Sequence, residues 1–298
     1  MPARPGPAPL LVVDTPSLLY RAFFALPSSI KDSAGRPVNA LLGCANLILQ
    51  AVQTYGPRAV VLCNGAEAAV YRTSAYPPYH AAREPMPEKL VWQWEAAPAF
   101  FGAFGWAHAV TEELEADDLL GSFATAETAA GGTSLLFTGD RDMFQCVGET
   151  VTVLWPGAKG GPAVVDAPEV RRRYGVGPEQ VPDFIALRGD PSDGLPGARG
   201  IGEKTAATLL AHYGTLEALL DAAASHADLQ GPLTPRTRGV LREQADELHV
   251  FRRIATLVAI DVQRPASRPT DYEQAACAAR EHGMQRLAER LEAGAGAR

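Results

Sequence analysis

Eight carboxylates in four short stretches hold most of the chemistry this sequence can do. VVDTPS supplies Asp14, EADD supplies Glu115, Asp117 and Asp118, TGDRD supplies Asp140 and Asp142, and GDPSD supplies Asp190 and Asp193. Glu115, Asp117 and Asp118 fall within one turn of a predicted helix, where unpaired buried anions repel one another at a considerable energetic penalty. Such a cluster calls for positive partners. Hard oxygen donors at this density suit Mg²⁺ or Mn²⁺, and the lack of Cys and His in these stretches disfavours zinc. Two such ions, about 3.5–4 Å apart, would clamp the attacking and leaving oxygens of a phosphodiester displacement, with the aspartates as ligands rather than general acids. Taken singly the stretches say less. EADD alone reads as acids favouring a helix N-terminus, and TGDRD alone as a turn in which Asp142 pairs with Arg141 or a neighbour. Their ordered recurrence at strand ends is what favours metal.

A second constellation follows the last pair. LPGARGIGEKTAATLL places Gly200 and Gly202 before Lys204 and Thr205 at the start of an amphipathic helix. Glycines let the backbone approach a phosphate, and the free N–H groups of a helix start attract the anion. The spacing is not that of a Walker A loop. A helix–hairpin–helix contact to DNA backbone, blind to base sequence, fits better than a plain glycine-rich turn.

These residues need a frame. LLVVD (10–14), AVVLC (59–63), WAHAV (106–110) and SLLFTGD (134–140) read as buried strands, and 41–52, 91–104 and 117–128 have helical apolar spacing. That alternation predicts an α/β domain with a mostly parallel sheet, whose functional groups collect at the carboxyl ends of the strands. Helical patterns follow at 167–174, 179–188, 203–212, 215–224, 236–259 and 272–293. The expected division is an α/β core over 1–178 and a mainly helical region over 179–298. Segment 64–90 is rich in Pro, Tyr and Arg, without clear period, and long for a connection inside a compact domain.

The chain has 298 residues, 47% hydrophobic and 20% charged, an ordinary globular composition. Its net charge of −7 argues against a uniformly basic coat but leaves local nucleic-acid contacts open. Cys44, Cys63, Cys146 and Cys277 have no CxxC spacing, so reduced thiols are expected. Neither a leader nor a membrane span is evident, and a cytoplasmic protein is the expectation.

The motifs VVDTPSLLYRAFFALP, YPPYHAAREPMPE, EADDLLG, TGDRDMFQ, YGVGPEQVPDFIALRGDPSDGLPG and GIGEKTAATLL together resemble the bacterial 5′→3′ exonuclease, or flap endonuclease, family, over roughly residues 10–220. The resemblance implies a PIN-like core, a helical arch over the site at about 64–95, and a helix–three-turn–helix at about 182–220 that grips duplex DNA. It implies two metal ions, the first served by Asp14, Glu115, Asp117 and Asp118, the second by Asp140, Asp142, Asp190 and Asp193. K⁺ would sit on backbone carbonyls around Gly200 to Gly202. Arg72, Tyr79 and Arg83 would face a single-stranded flap, offering charge and a ring for base stacking. Arg21 would contact a phosphate or pair with an acid at the cleft edge. The implied partner is DNA with 5′ flaps or ends, RNA-containing strands included as an open case, and the implied state is a monomer.

Two departures stand out. The family usually ends its second strand with Asp, where this chain has Asn64, and it has Lys where this chain has His80. A histidine there supplies positive charge only when protonated, below about pH 6.5 if unperturbed. The expectation is a nuclease with altered pH dependence or reduced rate, with His80 and Arg83 beside the scissile phosphate. The alternative is a DNA-structure-binding protein whose nuclease activity is weakened or lost. A phosphatase with an aspartyl nucleophile is disfavoured, because Pro16 occupies the third position of the DxD pair that this chemistry needs.

Overall fold

The computed structural model describes residues 8–157, 161–225 and 231–296, so the N-terminal stretch read for a leader lies mostly outside the described residues. Chain order is β1 (Leu10–Asp14), α1 (Thr15–Ala25), α2 (Asn39–Tyr55), β2 (Ala59–Asn64), α3 (Val70–Ala75), α4 (Glu88–Gly102), β3 (Ala107–Val110), α5 (Ala116–Ala129), β4 (Ser134–Phe137), β5 (Val151–Trp155) and β6 (Ala163–Val165). The helical part follows as α6 (Ala167–Tyr174), α7 (Val181–Arg188), α8 (Glu203–Tyr213), α9 (Leu216–Ala224), α10 (Pro235–Glu243), α11 (Ala245–Ala255), α12 (Tyr272–Glu281) and α13 (Gln285–Ala295).

The six strands form one sheet in the order β3-β2-β1-β4-β5-β6, parallel except for β6, which runs antiparallel to β5. Both faces are covered, which is why LLVVD is apolar throughout rather than alternating. Leu10 and Val12 point into one core with α5 and the helices α7 to α11. Leu11 and Val13 point into the other, with α1, α2, α4, α12 and α13. The chain leaves β1 towards β2 on one side, while β4 pairs on the other. The crevice at the carboxyl ends of β1 and β4 is therefore the topological switch point, where such sheets place their functional groups.

Several elements differ from the sequence reading. Helix α1 follows β1 directly, because Asp14 caps it by accepting from the Ser17 amide and Pro16 suits its first turn. Segment 64–90, which lacks a period, nonetheless contains α3 and the start of α4. The pattern at 236–259 is two helices, α10 and α11, which meet at Gln244. The pattern at 272–293 is also two, α12 and α13. The break falls at Gly283, where a φ of +70° and a 3.1 Å approach of an added Cβ to the Asp32 backbone disfavour a side chain.

Most of the helical region packs on the α5 side, but α12 and α13 do not. An extended strap after α11 carries the chain back across α5, fixed where Glu127 accepts from both Arg58 and Arg264, and the two last helices complete the core beneath α2 and α4. Residues past 256 thus buttress the α/β core. No helix of the described residues is long and apolar enough to cross a membrane.

Candidate active site

Asp14 leaves β1 with one oxygen on the Ser17 amide, at 3.0 Å, and the other on the Thr138 hydroxyl, at 2.6 Å. Thr138 follows β4, and its hydroxyl also accepts from the Asp140 amide. This buried threonine thus sets the separation of two acids from different strands. The sequence quotes it within TGDRD but offers no sign of the role. Asp140 in turn accepts from the Asp142 amide at 2.8 Å, which fixes the short 3₁₀ turn over 142–146.

A cavity of about 500 Å³ opens here, lined by Asp14, Asp117, Asp140, Glu115 and Arg83 and on its apolar side by Tyr20, Met86 and Trp94. A narrower cleft holds Asp117, Asp140, Asp142 and Asp193. Asp14, Asp117, Asp140 and Asp142 have no arginine, lysine or histidine bonded to them among the described residues. Burial first, then the neighbouring carboxylates, pushes Asp117 and Asp142 well above the usual range. Asp140 is pushed to about 7 by burial and Asp193. Burial also raises Asp14, against the hydrogen bond from Thr138. Four anions gathered without a cation are stable only when protonated or when positive charge enters from outside. The donor set is all oxygen, and it fits hard divalent ions. Among the described residues no three carboxylates, imidazoles or thiols converge closely enough to hold an ion alone. Ions here would therefore draw coordination from water or substrate phosphate, as Mg²⁺ ordinarily does.

Asp118 and Glu115 differ from these four, and the expected role of Asp118 as an ion ligand is corrected. Arg72 grips Asp118 with two bonds of 3.0 and 2.9 Å, and Asp118 also accepts from the amides of Glu115 and Val258. Its oxygens are saturated, it is fully buried, and it lines none of the cavities that hold the other acids. Glu115 keeps a place on the cavity wall but already accepts from the Ala69 amide, from Arg72 at 3.1 Å and from the Tyr79 hydroxyl at 3.0 Å.

The expectation that Arg72 and Tyr79 face a single strand is also corrected. Arg72 is 3% exposed, and besides the two acids its Nε donates to the Ile254 carbonyl of α11. Burial works against its charge, but Glu115 and Asp118 outweigh it and raise its pKa above the ordinary value. Tyr79 is 4% exposed, with its ring stacked on His80 at 3.8 Å. Neither could be read from spacing, because the partners lie 36 to 182 residues away.

His80 and Arg83 do reach the second acid group. His80 adopts a left-handed φ of 55°, its Nε2 lies 3.0 Å from Asp193, and its Nδ1 lies 2.9 Å from the Glu67 carbonyl. Neither oxygen can donate, so both contacts are satisfied together when the ring carries two protons. Arg83, partly exposed, also approaches Asp193, at 3.4 Å. Asp190 accepts from Arg188 at 3.1 Å and from Ser192. Arg21 is exposed on α1. Asn64 ends β2, but the residues after it, Gly65 to Glu67, form the cavity wall in its place. Gly200, with φ +75°, and exposed Gly202, Lys204 and Thr205 lie in the turn into α8, apart from these cavities.

The family described as 5′-3′ exonuclease, N-terminal resolvase-like domain, matches residues 9–175, and that described as 5′-3′ exonuclease, C-terminal SAM fold, matches 176–276. A 5′-3′ exonuclease of Streptomyces coelicolor is 37% identical over 270 residues, covering 86% of this chain and 87% of its own length. DNA polymerase I of Mycobacterium tuberculosis is 38% identical over 214 residues, which is 71% of this chain and 24% of the polymerase. The chain thus spans about a quarter to a third of the length of the polymerases it matches. Among solved structures, the bacteriophage T5 flap endonuclease in a pseudo-enzyme-product complex with DNA and metal ions aligns with a TM-score of 0.68 at 16% identity, over 95% of this chain and 96% of that one. The catalytic core of Rad2 in complex with DNA substrate aligns at 0.64 and 15% identity, over 96% and 91%. Those two likenesses are of fold.

Proposed function

The chain belongs to the 5′-3′ exonuclease family, and from that premise we propose that it is a structure-specific 5′ nuclease. It hydrolyses phosphodiesters of 5′-flap or 5′-ended duplex DNA with Mg²⁺ or Mn²⁺ in the acidic cleft. The observation that carries this reading is the group Asp14, Asp117, Asp140 and Asp142, four clustered carboxylates, buried or half-buried, whose proton affinity is raised and none of which is bonded to a protein cation.

Asp14, Asp117, Asp140 and Asp142 would hold the ions, with Glu115 and Asp193 on the same cleft walls and Asp190 beyond Asp140 in the neighbouring cavity. Divalent ions bound there would supply the activation of water and the stabilisation of the leaving oxygen. The chain's own residues do the rest. Thr138 holds Asp14 and Asp140 at fixed separation. Arg83 brings a half-exposed guanidinium to the cavity wall, where it can meet the scissile phosphate. Tyr20, Trp94 and Met86 give that wall an apolar face on which an unpaired base can stack. Gly200, Gly202, Lys204 and Thr205 present backbone amides and charge to duplex phosphates, with K⁺ on the carbonyls of that turn.

The test is cleavage of a labelled 5′-flap duplex with Mg²⁺, with Mn²⁺ and with EDTA, beside an Asp140→Ala control. Metal-dependent cutting near the junction, absent in the control, is the expected result. Binding without cutting in any metal would leave a DNA-structure-binding protein instead.

A further inference from the structure

A second cavity, of about 320 Å³, shares Asp140 with the carboxylate cavity and none of its other lining residues. Its walls carry Arg141 and Arg188 as well as Asp140, Asp190 and Ser192. Charge is distributed unevenly among them. Asp190 is already satisfied, by Arg188 Nη2 at 3.1 Å, the Ser192 amide at 2.9 Å and the Ser192 hydroxyl. Arg188 lies across the Tyr174 and Phe184 rings, 5.7 and 5.4 Å from their centroids, and its Nε–H is buried with no acceptor. The Arg141 side chain makes no hydrogen bond or ion pair among the described residues. Both guanidinium groups act on the buried Tyr174 phenol, which ties them to one small region.

In the carboxylate cavity Asp14, Asp117 and Asp140 are bonded to no cation, and here Arg141 and the Nε–H of Arg188 are bonded to no acceptor among the described residues. Guanidinium N–H groups match phosphate oxygens in geometry and charge, and a buried unpaired donor is unfavourable unless a ligand accepts from it. The chain from Asp190 to Ser192 runs on through Leu195 to Ala198 into the glycine turn before α8, on the side assigned above to duplex. We propose that this cavity binds a backbone phosphate of the cleaved strand on the duplex side of the scissile bond, through Arg141 and Arg188. The inference rests on the nuclease reading. It adds to that reading a phosphate subsite which fixes how far the strand advances past Asp140.

The test uses the full chain and a 5′-flap duplex in which single phosphates of the cleaved strand are replaced one at a time by uncharged methylphosphonate. Affinity is measured by fluorescence anisotropy with Ca²⁺. For wild type, neutralising one of the first phosphates 3′ of the scissile bond should weaken binding roughly tenfold, as loss of a charge-assisted bond implies. Arg141→Gln should bind the unmodified duplex about tenfold more weakly and become insensitive to that one replacement, while Arg141→Lys keeps part of the sensitivity. Equal sensitivity of wild type and Arg141→Gln at every position would overturn the subsite and leave the nuclease reading standing. Failure of wild type to bind the flap duplex at all would remove both.

Discussion

Asp117 and Asp118 are adjacent in sequence, on the same turn of α5, yet the protein treats them in opposite ways. Asp118 is held by a bidentate arginine and two backbone amides, so its charge is neutralised within the fold. Asp117 faces Asp140, Asp14 and Asp142 with no cation, and its proton affinity rises well above normal. Glu127, at the other end of the helix, belongs with Asp118. Arg58 and Arg264 close on it and hold its carboxyl down to about 2. Acids whose neutralisation is built in serve the architecture. Acids whose neutralisation is left open serve a ligand.

The sharpest way to break this contrast is to remove one acid of each kind. Asp117→Asn or Asp140→Asn should lower cleavage by about a hundred- to a thousandfold, the range seen when preorganised charge at a reaction centre is removed. Either exchange should also raise the melting temperature of the metal-free protein, because a buried repulsion is lost. A lower melting temperature would mean that these carboxylates are structural. Asp118→Ala should act in reverse, destabilising by about 3–5 kcal/mol, since it leaves the buried Arg72 with Glu115 as its one carboxylate and takes the acceptor from the Glu115 and Val258 amides. Urea unfolding measures it, and an unchanged midpoint would sink the architectural assignment.

The two classes should also separate by pH. The folded pKa of Asp140 is raised from 3.8 to about 7, so between these values the native state holds more protons than the unfolded one. Metal-free stability should therefore fall as pH rises across that window. The melting temperature at pH 8 should lie below that at pH 5.5, and Mg²⁺ should narrow the gap. Glu127 has the opposite sign. Its folded pKa is depressed, so its contribution is complete above about 4.5 and is lost as pH falls towards about 2, a loss of roughly 3 kcal/mol that Glu127→Gln should abolish from an acid titration. The smallest effect expected is that of His80→Lys, a few-fold gain in cleavage at pH 8, where a fixed charge replaces one that depends on protonation. No gain there would mean that this position does not limit the rate.

The parts of this molecule legible in its sequence are those with local causes. LLVVD and AVVLC announce buried parallel strands by their continuous apolar runs, and acids at strand ends then fall together by the geometry of the sheet. The bonds that sort the acids are not local. Arg72 lies 46 residues from Asp118 and 182 from Ile254, so a residue in an arch-like segment reads as a DNA contact until the fold shows it enclosed. Thr138 has the same difficulty in miniature, since its hydroxyl meets Asp14 across 124 residues of chain. The helix breaks at Gln244 and Gly283 are hidden for a different reason. The apolar period continues across both, and only packing, such as Gly283 against Asp32, shows that the chain must turn.

The strap that returns the chain to α2 and α4 has a consequence for biogenesis. The core that holds Ile48 and Leu49 of α2 also takes in Ala275, Ala279 and Leu287 of α12 and α13. On the ribosome, synthesis proceeds from the N-terminal end, so α2 and α4 wait for helices made much later before their outer layer is sealed. Contacts of that sequence separation favour slow, late completion. The acidic crevice, assembled from Asp14 to Asp193, can form earlier than the layer that makes it durable.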